Sequence, residues 1–516
     1  MSGARPDTAP SICGSFTRRA ALQPDAIAIE AAGRRTTYAA LDADSNRVAR
    51  RLGALGVVHR DIVGVFGERG WETVVSALGA MKAGAAYVPL DPDSPPWRTD
   101  LQLSEAGARC LLTPEGIAAA AHATGLPVLA LDQQMRELGG EDPAPIELAV
   151  GESDLCAVLF TSGSTGRPKG VALEHRNFLN LLRGASELGP MPGEGALHIC
   201  APQFDMAAYE IWATLLAGGR LVCQAPGRPD PRAVCRTIAE HEVTWSAMPT
   251  SIFHQVIESD AAGLASMRML VVGGEAMMPA YAALFRNSSP DTRLFNAYAP
   301  AEVTAFALAH ELGAEIDASR PVPVGRALAG ALTRVLDERG SPVAPGERGE
   351  LYLGGPGVSR GYLQQPELTA ARYLPDPLSP ASGARFYRTG DIVREREDGA
   401  FEIFGRADDQ VKISGYRVEP AEVAAQVNMC PFVRRAAVLA REDVPGHRRL
   451  VAYVVFAGGP GQEAALRGFL EERMPSYMLP SSIVSLDRLP TNPNGKIDRI
   501  ELAATSGPVR RASPVA

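Results

Sequence analysis

Residues 159–171, LFTSGSTGRPKGV, gather three glycines, four hydroxyl side chains and Lys169 directly behind the apolar run 155–160. Composition alone leaves open a flexible connection, the commonest use of such stretches. The apolar run, however, reads as a buried strand, and a loop anchored on one is aimed. Its glycines let backbone N–H groups turn toward a common point, its hydroxyls add donors, and Lys169 adds positive charge. Such a set suits a polyphosphate. It departs from the Walker pattern, because Pro168 precedes the lysine where glycine is required and Gly170 follows it in place of Ser or Thr. Four further polar residues stand in distinctive surroundings: Asp205 in FDMAAYEIW, Glu302 in NAYAPAEVT, Asp391 in YRTGDIV and Lys496 in NPNGKIDR. Alone, each has an ordinary reading, as a surface carboxylate, a turn residue or a solvated lysine.

The elements that must position these residues follow from periodicity. Residues 38–57 read as an amphipathic helix with Leu41, Val48 and Leu52 on one face, 61–67 as a strand, and 71–84 as a helix ending at Gly84. Residues 267–277 read as a strand running into a glycine turn. This alternation predicts α/β layers. From residue 349 onward the pattern turns β-rich, with strands broken by Gly and Asp. The last hundred residues hold a helix at 420–429, strands at 435–441 and 449–456 and a helix at 463–474, the size of a small α+β domain. The turn 405–410 is the expected boundary. The expected organisation is α/β: a large N-terminal domain of layered sheets and helices over 1–407, a small α+β C-terminal lid over 408–502, and a disordered tail over 503–516.

Composition narrows the function classes. With 516 residues, 46% hydrophobic and 21% charged, the chain is an ordinary globular protein of more than one domain. A net charge of -8 argues against a general nucleic-acid binder. Seven scattered cysteines without a CxxC pair read as reduced thiols, not as a disulfide framework or zinc site. No signal-peptide core and no apolar run of bilayer length is present in the sequence, so a cytoplasmic protein with no membrane partner is expected.

Taken together and in order, the segments resemble a known family. TTYAALDADSNRVA, MKAGAAYVPLDPDSP, LFTSGSTGRPKGV, FDMAAYEIW, NAYAPAEVT, GELYLGGPGVSRGYL, YRTGDIV, GRADDQVKISGYRVEPAEV and NPNGKIDR are similar to the motifs of adenylate-forming enzymes, specifically the amino-acid adenylation enzymes of nonribosomal peptide synthesis. The resemblance implies a large domain hinged to a mobile lid. It implies a reaction of a carboxylate with ATP and Mg2+ to give acyl-AMP and pyrophosphate, then transfer to a thiol. Thr161, Ser162, Gly163, Ser164, Thr165, Gly166 and Lys169 would hold the β- and γ-phosphates. Gly274, Glu275, Asn296, Ala297, Tyr298 and Ala301 would line the nucleotide, with Tyr298 against adenine. Asp391 would bond both ribose hydroxyls and Arg406 would reach the ribose. Glu302 would accompany magnesium, Lys496 would stabilise charge at the α-phosphate, and Asp408 would be the hinge. Two positions depart from the pattern: Ala299 stands for its glycine and Ala301 for its threonine. An active enzyme is expected, with the missing hydroxyl offset by a water or by Thr304.

Asp205 matches the aspartate that pairs with an α-amino group, and an unpaired buried carboxylate would be costly without such a partner. The resemblance makes Met206, Tyr209, Ala247, Val271, Gly273, Ala297, Ala305 and Phe306 the rest of the substrate pocket. None is charged. A medium-to-large neutral side chain, aliphatic or aromatic, is expected, with Tyr209 able to give one polar contact. The chain is expected to be free-standing and to load a separate carrier protein in trans, with Lys412 and Arg417 candidates for docking. A coenzyme A ligase of the same fold is the alternative enzyme, and a nucleotide-binding scaffold the alternative of another class.

Overall fold

The computed structural model describes residues 11–114, 117, 125–131, 142–147, 150–162, 168–317, 320–376, 378–379, 383–407, 410–413, 415–444, 447–490 and 499–505. Gly163, Ser164, Thr165, Gly166, Asp408 and Lys496 lie outside the described residues. The chain separates into two compact units, one of residues 1–92, 99–160 and 170–407, the other of 93–98, 161–169 and 408–516.

Three sheets build the first unit. Nine described strands form the first, in the order Arg326–Ala327, Leu308–Glu311, Arg293–Tyr298, Met269–Gly273, Val243–Pro249, Gly195–His198, Arg220–Cys223, Ile27–Ala31 and Arg34–Thr37. The strands from Arg293–Tyr298 through Ile27–Ala31 pair in parallel, as expected where helices cover both faces, while Leu308–Glu311 pairs antiparallel with Arg293–Tyr298. Seven described strands form the second sheet, in which Leu155–Thr161 lies between Lys169–Glu174 and Ala86–Leu90. The third is antiparallel and centred on the long strand Arg385–Glu395, which pairs with Arg348–Gly354 and Phe401–Arg406. The helices expected near 38–57 and 71–84 are Tyr38–Ala54, capped by the Thr37 hydroxyl on Ala40 N–H, and Trp71–Lys82.

In the second unit the strands Val433–Val444 and His447–Phe456 run antiparallel, and Ser482–Ser485 joins the latter in parallel. The helices Pro420–Asn428 and Glu463–Glu471 pack Val423, Val427, Leu466 and Leu470 into this unit's core. The last described helix, Arg499–Ala504, takes in residues 503 and 504, which the sequence alone assigns to the tail; residues 506–516 lie outside the described residues. The fold is α/β, with a large N-terminal and a small C-terminal part. Among the described residues no helix is long and apolar enough to cross a membrane, and the seven cysteines are free.

Candidate active site

Three of the expected nucleotide residues meet in the first unit. Asp391 and Arg406 are direct partners across the antiparallel strands, and Arg406 Nη1 lies 2.8 Å from Asp391 Oδ1. Tyr298, at the end of Arg293–Tyr298, donates its phenol to the other oxygen, Oδ2. Burial and the neighbouring carboxylate push this phenol well above its usual pKa, so it stays protonated and donates. The local backbone has a cause. Between the pairs Glu350↔Ile392 and Tyr352↔Arg388 the strand Arg385–Glu395 is two residues longer than its partner, and the excess forms a bulge around Gly390. Gly390 sits at φ +81°, where side chains are disfavoured. Glu350 fixes the bulge by accepting from Arg388 at 2.8–3.0 Å and from Gly390 N–H at 3.1 Å, and Arg406 Nη2 donates to the Thr389 carbonyl at 3.0 Å.

Glu302 lies in the short turn Ala301–Val303 and is fully buried, with Tyr362 donating to its Oε1 at 2.7 Å. Among the described residues no three acidic, His or Cys side chains gather into a metal cage. Magnesium bound mainly through phosphates and water asks for only one or two carboxylates, and Glu302 fits that part. Ala299 is not among the residues at positive φ, so alanine at this position carries no left-handed strain. Thr304 and Ala305 do lie there, at φ 59° and 54°. The Thr304 hydroxyl donates to the Gly357 carbonyl at 2.8 Å, holding this turn. It is therefore occupied, and the expectation that it replaces the missing hydroxyl at Ala301 is corrected.

Four of the expected substrate positions fall on one sheet face. Ala247 is in register with Val271, and Gly273 with Ala297; in parallel strands residues in register point the same way. A Cβ on Gly273 would lie 2.7 Å from the Ala297 carbonyl, so this position is held small by packing. Its neighbour Gly274 turns the chain at φ +98°, and the Thr250 hydroxyl is within bonding distance of the Gly273 and Glu275 carbonyls. Tyr209 packs edge-on against Phe306 at 5.0 Å and lies 6.0 Å from Trp245, and its phenol oxygen is buried without a hydrogen-bond partner among the described residues. Met206 is on the same helix, Asp205–Ala217. Asn296, expected to line the nucleotide, lies on the face opposite Ala297 by strand alternation, and its amide donates to the Pro323 carbonyl at 2.8 Å.

Asp205 opens that helix, where the positive end of the backbone dipole favours a carboxylate. Its Oδ1 accepts from Met206 N–H at 2.7 Å, and the residue is part-buried. The expectation of a buried, unpaired carboxylate is thus corrected; its electrostatic support begins with the helix itself. Within FDMAAYEIW the sequence draws attention to Asp205 and not to Glu210, five residues on. Glu210 is fully buried and faces His198 Nδ1 at 2.6 Å. The available signal was a lone charged residue within the otherwise apolar AAYEIWATLLA.

In the second unit the Thr161 hydroxyl is buried without a partner among the described residues, while Ser162 donates to the Arg417 carbonyl at 2.7 Å. An orphaned hydroxyl there is compatible with a phosphate oxygen as its partner. Lys169 is nearly buried at the start of Lys169–Glu174. Lys412 and Arg417 are partners across the ribbon of Val411–Ile413 and Tyr416–Val418.

Comparison with known proteins decides what this arrangement belongs to. The AMP-binding enzyme family matches residues 16–363, and the AMP-binding enzyme C-terminal domain matches 422–496. The chain belongs to the AMP-binding enzyme family. A probable non-canonical nonribosomal peptide synthetase, CymA of Salinispora arenicola, is 40% identical to this adenylate-forming enzyme over 493 residues, covering 94% of this chain and 6% of that protein. Phosphinothricin tripeptide synthetase PhsC of Streptomyces viridochromogenes is 39% identical over 493 residues, covering 94% and 44%. The chain therefore spans less than half the length of these relatives. Among solved structures, an artificially fused Adenylation-PCP di-domain NRPS from Klebsiella oxytoca superposes with a TM-score of 0.85 at 28% identity, over 93% of this chain and 94% of that one. These likenesses place it with the adenylation enzymes of nonribosomal peptide synthetases.

Proposed function

We propose that this AMP-binding enzyme activates a neutral amino acid as its adenylate and passes the aminoacyl group to the thiol of a carrier protein. The observation that carries the reading is the helix Asp205–Ala217: a carboxylate at its N-terminus is followed within the helix by Met206 and Tyr209, beside an uncharged sheet face. A carboxylate paired with an uncharged wall suits an ammonium on a neutral substrate.

The substrate carboxylate attacks the α-phosphorus of ATP, the bond to the β-phosphate breaks, and pyrophosphate leaves. Asp391 and Arg406 would hold the ribose, Tyr298 would lie against adenine, and Lys169 with the loop ahead of it would take the β- and γ-phosphates. Lys496 would stand against charge developing at the α-phosphate, where fixed positive groups matter most. Glu302 would hold magnesium, which when bound neutralises phosphate charge. In the second step a carrier thiolate attacks the acyl carbonyl and AMP leaves.

Pyrophosphate exchange over amino acids and their des-amino counterparts tests this. Exchange restricted to neutral amino acids and lost in Asp205→Ala, with ATP still bound, is the expected result. Equal exchange with des-amino acids overturns the amino-acid reading, and formation of acyl-coenzyme A with no loading of any carrier overturns the acceptor.

A further inference from the structure

We infer that Glu210 is a positioning residue for the substrate ammonium site, acting through Asp205. Six residues, 199–204, connect the strand Gly195–His198 to the helix Asp205–Ala217. Their path decides where the helix begins, and so where the Asp205 carboxylate stands. Glu210 holds that path from inside. Its Oε2 accepts Ile199 N–H at 3.2 Å and Cys200 N–H at 3.2 Å, and its Oε1 is 3.3 Å from the same Cys200 nitrogen. His198 Nδ1 completes the set at 2.6 Å. Consecutive backbone N–H groups converging on one carboxylate form an anion nest, here filled by the protein's own side chain.

The arrangement is one of position, not of general adhesion. Glu210 and His198 are 0% exposed, so the carboxylate has no solvent to fall back on. These bonds go to the last residue of the strand and the first two of the connection. Farther along, Phe204 N–H donates to the Ala201 carbonyl at 3.1 Å, closing the connection into a turn immediately before Asp205. Displacing the start of this connection displaces the helix entry. The nearby thiol has no chemistry to offer: burial, then the Glu210 charge, hold Cys200 well above its usual pKa.

The inference rests on the amino-acid reading of Asp205, and its test separates the two. The amino-acid KM, ATP KM and kcat are measured by pyrophosphate exchange in the full chain for Asp205→Ala, Glu210→Ala, Glu210→Asp and Glu210→Gln. Glu210→Asp keeps the charge but is one methylene short of the two N–H groups. Glu210→Gln keeps an oxygen for them. The expected result is an amino-acid KM raised about tenfold or more in the Ala and Asp variants, with ATP KM unchanged. Glu210→Gln should recover most of that loss. A merely structural role would lower the active fraction, and hence kcat, without moving KM. An amino-acid KM at the wild-type value in Glu210→Asp, or an ATP KM rising in step with it, overturns the inference even if Glu210→Ala does not fold. If Asp205→Ala itself leaves amino-acid preference intact, the reading beneath fails; a KM shift confined to the Glu210 variants would then place the ammonium elsewhere and overturn the route through Asp205.

Discussion

Arg406 and Asp391 face one another across an antiparallel strand pair, 2.8 Å apart, and Tyr298 takes the carboxylate oxygen that Arg406 leaves. The carboxylate is thereby oriented before any nucleotide arrives. Preorganisation of this kind means that less must be ordered on binding.

Arg406→Ala should therefore raise the ATP KM by about tenfold and lower stability by roughly 1.5–3 kcal/mol, the usual contribution of a hydrogen bond to a charged group. Asp391→Asn should act on the same bond, so the double variant should be less impaired than the two single losses combined. Nucleotide titration and denaturant melts of the full cycle measure both. Strict additivity would show that the two residues work independently.

A second prediction concerns acid. His175 is 1% exposed and its Nδ1 accepts the Ile12 N–H at 3.2 Å, tying down the start of the helix Ile12–Leu22. Burial pulls its pKa down to about 4. The folded state thus disfavours the imidazolium, which the unfolded chain accepts from near pH 6.5. The stability associated with neutral His175 is complete above about pH 6.5 and is lost as pH falls toward about 4, by roughly 3 kcal/mol in all. Denaturant melts between about pH 7 and about pH 4 should show a shallower decline in His175→Gln, which keeps an acceptor but cannot take the proton. Parallel declines would remove His175 from the account.

What could be read from the chain divides by the range of the cause. The strand over 155–160 and the helices near 38–57 and 71–84 are local patterns, and the described strand Leu155–Thr161 and helices Tyr38–Ala54 and Trp71–Lys82 follow them. Short motifs point to Asp391, Arg406 and Tyr298, yet only the fold shows them sharing one carboxylate. Asn296 looks like its neighbours in the motif, yet the pleat turns it away from Ala297 and its amide is given to the Pro323 carbonyl. In sequence Thr304 looks free to replace a lost hydroxyl, but its partner Gly357 is fifty-three residues away. Glu210 escapes notice for the same reason, since its partners lie on the preceding strand and connection.

The orphaned phenol of Tyr209 makes a third prediction. Its oxygen is buried without a partner among the described residues while the ring packs on Phe306. An unsatisfied buried hydroxyl costs about 1–3 kcal/mol, and Tyr209→Phe keeps the ring. This variant should be as stable as wild type or more stable by about 1 kcal/mol. If the substrate side chain carries a polar atom that meets the phenol, kcat/KM for it should fall while stability does not. A melt and an exchange assay on the same preparation read both. A clearly destabilised Tyr209→Phe would show that the hydroxyl has a partner after all.

The last prediction returns to the altered motif. Ala301 heads the turn Ala301–Val303 and Glu302 follows it, so a side chain here stands one residue from the proposed magnesium carboxylate. The resemblance puts a threonine at this position, and alanine offers no donor. Two consequences could follow from the departures at 299 and 301: strain, if the backbone at Ala299 were left-handed, and compensation by Thr304. The structure removes both, because Ala299 is not left-handed and the Thr304 hydroxyl is already given to Gly357. What remains is one absent donor. Restoring a donor aimed at developing charge is worth up to roughly 2.7–4 kcal/mol in a site built for it. This turn has settled around alanine, so Ala301→Thr should raise the single-turnover rate of adenylate formation by less than that, about tenfold. Ala299→Gly, which relieves no strain, should leave the rate where it is or slow it through added flexibility. Rapid-quench measurement of acyl-AMP with the best substrate from the exchange panel separates the cases. A faster Ala299→Gly with an unchanged Ala301→Thr would mean that backbone approach, not the hydroxyl, limits the chemistry. Adenylate formation absent from wild type with every acid, despite bound ATP, would make the chain a nucleotide-binding scaffold.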